Sequence, residues 1–138
     1  MGRSRTERGG GASRTALVLD TGALVALDKN DRRLIALLMA AREMGVRLII
    51  PATVLAQAWR GGGRQVRLAT LVADENTEVP PLNRAWAESV GALCAEHRTK
   101  DIVDAHVALL ASYERAKVLT SDPDDLRRLA PNLSIERI

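Results

Sequence analysis

Cysteine is all but absent from this chain. Cys94 stands alone, which excludes an intrachain disulfide and a cysteine-based zinc site and fits a reducing, cytoplasmic compartment. Aromatics are nearly as scarce. With no Phe, two Trp and one Tyr, the core has to be built from Leu, Val, Ile and Ala, and a surface that stacks nucleobases on aromatic platforms is disfavoured. No apolar run approaches the roughly 18 residues of a membrane span. Residues 1–14 also lack the apolar stretch of a secretion signal; they are polar, basic and Gly-rich, a composition that predicts a disordered tail.

That tail holds the whole charge excess. Arg3, Arg5, Arg8 and Arg14 against Glu7 account for the formal net charge of +3, and beyond residue 14 acids and bases balance. Any basic face on the folded part is therefore local. What remains suffices for one domain with a core, since 46% of the 138 residues are hydrophobic.

From Thr15 onward, short apolar runs alternate with longer amphipathic ones, the pattern of a mostly parallel sheet covered by helices, and residues 15–138 are expected to form one α/β domain. The expected strands are 16–19, 47–50, 78–80, 117–119 and 134–136. Asn30 or Asp31 caps a helix with Leu34, Leu37, Leu38 and Ala41 on one face, ended by Gly45. Pro51 suits the first turn of a helix running through Val54, Leu55 and Trp59, which Gly61, Gly62 and Gly63 break; another helix spans 64–72. Asn83 caps a helix that turns Trp86, Val90, Leu93 and Cys94 inward, and 101–115 reads as an Ala-rich helix.

Four aspartates carry the chemistry. Asp20 and Asp122 each follow an apolar strand, and Asp101 and Asp104 open a helix, three residues apart on one face at its positive end. Turn and capping preferences account for any one of them singly. Gathered at one end of a parallel sheet, they make a negative pocket suited to a hard divalent cation with oxygen ligands, and so to metal-dependent phosphodiester chemistry. Asp124 and Asp125, after Pro123, are explained by capping, though they can also assist Asp122.

The order of motifs resembles the PIN-domain family, in particular the VapC-type toxins of bacterial toxin–antitoxin pairs. The matching segments are Val18-Leu-Asp-Thr-Gly-Ala-Leu24, Ile50-Pro-Ala-Thr-Val-Leu-Ala-Gln-Ala-Trp-Arg60, Asp101-Ile-Val-Asp-Ala-His106 and Leu119-Thr-Ser-Asp-Pro-Asp-Asp-Leu126. The resemblance implies a PIN-like three-layer sandwich with Mg²⁺ or Mn²⁺ held by Asp20, Asp104 and Asp122, Asp101 as a neighbouring acid, and Thr21 or Thr120 as hydroxyl support. It also implies an RNA substrate, a VapB-like antitoxin and a cytoplasmic setting. Amphipathic helices and Trp59 add the expectation of a homodimer, with a helical antitoxin segment docked around residues 31–72.

One position departs from the family. Gln57 stands where the resemblance places a glutamate, and an amide brings an oxygen but no charge. Asp101 is the nearest compensator and Glu43 a weaker one; the alternative is a weakened or inactive module that binds RNA or protein. Arg60, Arg64 and Arg67 flank the glycine run and are candidates for RNA phosphate, with a solvated surface as the plainer account. His97 and His106 share no metal-binding spacing, and His106 reads as a helix-face residue.

Overall fold

A computed structural model describes residues 15–138; the tail at 1–14 lies outside the described residues. The strands are β1 (Ala16–Leu19), β2 (Arg47–Ile49), β3 (Thr77–Glu78), β4 (Lys117–Thr120) and β5 (Ile135–Arg137). The helices are α1 (Thr21–Asp28), α2 (Arg32–Glu43), α3 (Ala52–Ala58), α4 (Val66–Ala73), α5 (Arg84–His97), α6 (Ile102–Glu114) and α7 (Pro123–Leu129), with a 3-10 turn at Gly63–Gln65. Every strand pair is parallel, in the order β3-β2-β1-β4-β5.

The chain steps outward from β1 to β2 and β3, then returns to the far side of β1 as β4 and β5. Right-handed crossovers place the connecting helices of the two halves on opposite faces, which gives the three-layer α/β sandwich. Burial follows from that position. Val18, Leu19, Val118 and Leu119, on the two central strands, are wholly shielded, whereas the outer strands β3 and β5 are only partly covered. The core is aliphatic: Leu24, Leu34, Ile49, Ile50, Val54, Leu68 and Leu126 pack against the sheet and one another.

Several expected boundaries move, for local reasons. Asp31, not Asn30, caps α2, its Oδ1 accepting from the Leu34 amide at 3.0 Å, while Asn30 takes a positive φ of 61° to end the preceding helix. That preceding helix, α1, has no counterpart among the expected helices, because Thr-Gly-Ala-Leu-Val-Ala-Leu lacks a polar face. Trp59 leaves α3 at its C-cap in an extended conformation and is 41% exposed rather than continuing the helix. The third strand is Thr77–Glu78 instead of 78–80, since Pro80 has no N–H to extend the ladder; its carbonyl still accepts from the Ala52 amide. The last strand falls one residue later than expected, with Ile135 opposite Val118.

Candidate metal centre

The strand order reverses between β1 and β4, and in an open parallel sheet the crevice at the carboxyl ends of such strands is where sites form. Asp20 and Asp122 stand there. The Asp20 amide donates to the Leu119 carbonyl at 3.2 Å, so it sits directly at the end of the β1–β4 ladder. Its side chain caps α1, with Oδ1 accepting from the Ala23 amide at 3.0 Å. Gly22 lets the two loops approach: a Cβ there would meet the Ser121 hydroxyl at 2.1 Å, so a larger residue has to displace that side chain.

Thr120 joins Asp20 to Asp122. Fully buried at the end of β4, its hydroxyl oxygen accepts from the Asp122 amide at 2.9 Å and bonds the Asp20 carboxylate. Burial pushes the Asp20 carboxyl up from its ordinary value; bonds from Thr120, Ala23 and Gly22 pull it back, and nearby Asp122 adds to the rise.

Asp101 and Asp104 reach the same crevice from α6. Asp101 caps the helix, with Oδ1 accepting from the Asp104 amide at 2.9 Å. Asp104 is half-buried and pushed up to about 7, first by desolvation, then by Asp101, with Asp125 and Asp20 contributing through space. Asp104 thus feels acids from three elements: its own helix, α1 and α7. A cavity of about 200 Å³ opens beside it, lined by Asp101, Asp104, Asp125, Arg128, Thr99 and His97.

Asp125 belongs to this cluster more firmly than capping implies. It bonds the Asp122 carboxyl, raising Asp122, and is itself held below the usual carboxylate range by Asp122 and by Arg128, whose Nη2 lies 2.9 Å from Oδ1. Its spacing carried the signal: Pro123 fixes the first helical position, so Asp122 is the N-cap and Asp125, three residues on, faces it. Asp124 points into solvent.

The remaining candidates divide. Gln57, on the last turn of α3, accepts through Oε1 from the Thr21 hydroxyl at 2.5 Å, which places both at the rim beside Asp20. Glu43 ends α2 where the chain enters β2, at the opposite end of the sheet. Arg60 folds back, its Nη1 donating to the Ala56 and Trp59 carbonyls. Arg64 lines a depression with the glycines and Asp28, whereas Arg67 lines a different, apolar groove with Leu27 and Leu38. The glycine loop is anchored by buried Gln65, whose amide bonds the Arg60 and Gly61 amides, the Ala58 carbonyl and Asp28. His106 is fully buried, with Nδ1 2.8 Å from the Thr53 hydroxyl, and burial lowers its pKa.

The donor set suits Mg²⁺ or Mn²⁺. All the acids offer oxygen, and carboxyl groups that raise one another carry the unmet negative field a hard cation relieves. Among the described residues no three His, Cys, Asp or Glu side chains form a ready-made ligand cage. Mg²⁺ does not demand one, because it keeps several waters and binds through one or two carboxylates plus substrate phosphates.

A parallel sheet with an acidic crevice at its switch point defines a class of α/β domain that binds its ligand at the carboxyl ends of its strands. Within that class the chain belongs to the PIN-domain family, whose model matches residues 17–131. PIN domains of the toxin–antitoxin kind are nucleases that generally use divalent metals. A comparison with curated proteins finds no match. Among solved structures, a chain of VapBC2 from Rickettsia felis, bound to a DNA fragment from its promoter, matches with a TM-score of 0.69 at 20% identity, over 90% of this chain and 99% of that one. FitAcB from Neisseria gonorrhoeae matches at 0.55 and 16% identity, over 86% and 95%. VapBC-5 from Mycobacterium tuberculosis, a member of the VapBC family of toxin–antitoxin systems, matches at 0.50 and 27% identity, over 90% and 98%. No helix among the described residues is long and apolar enough to cross a membrane.

Proposed function

We propose that this chain is a metal-dependent endoribonuclease, the toxin of a type II toxin–antitoxin pair. The observation that supports it most is the close approach of Asp20, Asp101, Asp104, Asp122 and Asp125 near the β1–β4 switch point. Asp20, Asp104 and Asp122 would hold the ion, with Asp101 beside Asp104. A bound Mg²⁺ or Mn²⁺ supplies Lewis acidity and a water acidified enough to attack phosphorus. The protein's own part is positional: Thr120 fixes the Asp20 carboxylate and the loop bearing Asp122, and the α6 cap fixes Asp101. Near neutral pH the Asp104 carboxyl holds a proton for part of the time, and ion binding has to release it.

The same reading assigns a partner. An apolar groove of about 480 Å³ runs between α2 and α4, lined by Leu27, Ile35, Leu38, Met39, Val66 and Leu71. It lies within residues 27–76, overlapping the span expected to take an amphipathic helix, and it suits the VapB-like antitoxin. A homodimer completes the assignment.

Purified protein incubated with single-stranded and structured RNAs and millimolar Mg²⁺ or Mn²⁺ is the test. Cleavage that chelator stops and that Asp20→Asn and Asp104→Asn each reduce at least about a hundredfold is the expected result. No cleavage by wild type, with cleavage by Gln57→Glu, would move the assignment to a PIN-like binding module.

A further inference from the structure

Gln57 is tied to the residue after Asp20 with its amide already oriented. The Thr21 hydroxyl has one proton, and it goes to Oε1 at 2.5 Å; neither Nε2 proton has an acceptor among the described residues. Gln57 is exposed at the rim, one hydrogen bond from the residue that follows Asp20. The crevice beside it is lined with carboxylates, and a phosphodiester is itself an anion, so the approaching substrate meets repulsion unless donors face it. A glutamate at this position would add to that repulsion. The amide removes a charge and supplies two N–H donors instead.

We propose that Gln57 binds substrate phosphate, with Thr21 holding Oε1 so that Nε2 donates to a non-bridging oxygen of the RNA, rather than serving as a metal ligand. Thr21 is then a positioning residue that acts through Gln57. This rests on the nuclease reading and adds to it a division of labour: the aspartates take the cation and the α3 amide takes the anion.

Two binding measurements on the whole chain separate the roles. Mn²⁺ affinity without RNA is read by titration calorimetry, and affinity for a labelled single-stranded RNA is read by fluorescence anisotropy in Ca²⁺, a weaker Lewis acid. Gln57→Met, which keeps length and removes the donors, is expected to weaken RNA binding roughly tenfold while Mn²⁺ affinity stays within about twofold. Gln57→Glu is expected to weaken RNA binding at least as much and to tighten Mn²⁺. Thr21→Val should reproduce part of the RNA loss and Thr21→Ser should restore it, a rescue that a packing role for the Thr21 methyl does not predict. Because Gln57 is exposed, unfolding midpoints serve as the folding control. If Gln57→Met instead loses Mn²⁺ affinity and keeps RNA affinity at saturating Ca²⁺, the side chain is a ligand and the inference is wrong while the nuclease reading stands. Wild type that binds neither Mn²⁺ nor RNA at millimolar metal overturns both.

Discussion

Asp104 and His106, two residues apart on α6, pull stability in opposite directions with pH. A carboxyl raised to about 7 in the fold from an unfolded value near 3.8 stabilises the protein below the lower value and loses that contribution as pH rises through the upper one. His106 is lowered by burial, so its contribution is present above its unfolded value of about 6.5 and is lost as pH falls below it. The wild-type profile between about pH 4 and 7 is therefore a partial cancellation. Asp104→Asn is expected to make the falling part shallower, leaving the share that the raised Asp20 carboxyl contributes, as read from urea midpoints; an unchanged profile would mean Asp104 is not titrating there. Gly22 makes a second residue-level test. In Gly22→Ala the new methyl has to displace the Ser121 side chain, whose Cβ lies 3.1 Å away, at a cost of about 1 kcal/mol. Ser121→Gly in the same chain should recover most of that loss, a coupling that a double-mutant cycle measures.

Which elements the sequence disclosed depended on whether their ends carried side-chain chemistry. Helices α2, α5 and α6 begin at Asp31, Asn83 and Asp101, each of which accepts from the amide three residues on, and cap residues of this kind make all three helices legible from sequence. Asp31→Ala should therefore lower stability by about 1 kcal/mol in chemical unfolding, whereas Asn30, in the left-handed region, should tolerate glycine without loss. Helix α1 was hidden because it is apolar on most sides, and its cap, Asp20, is also the principal site candidate, so one residue carried two signals. The acids after β1 and β4 were visible from strand ends alone. What the sequence did not disclose was contact across elements, Asp125 against Asp104 and Gln57 against Thr21. These depend on how neighbouring helices meet at the carboxyl end of the sheet, which periodicity does not encode.

For the whole molecule, the acidic crevice and the apolar groove lie on largely different elements, sharing α1 through Asp20 at its cap and Leu27 at its end. The crevice is made by α1, α6, α7 and the ends of β1 and β4; the groove is made largely by α2 and α4. A helical antitoxin segment in the groove can therefore be tested without touching the metal. Met39 and Val66 are 60% and 63% exposed on its lips, so Met39→Glu and Val66→Glu should leave the unfolding midpoint nearly unchanged. Each nevertheless puts a carboxylate where an apolar face has to dock, at a cost of roughly 2 kcal/mol or more for an unpaired charge. The expected result with a synthetic amphipathic antitoxin helix is binding at least about tenfold weaker for either variant, with Mn²⁺ affinity and RNA cleavage by the free protein retained. If both variants bind the helix as wild type does, the antitoxin docks elsewhere, and exposed Trp59 at the end of α3 is the next surface to test.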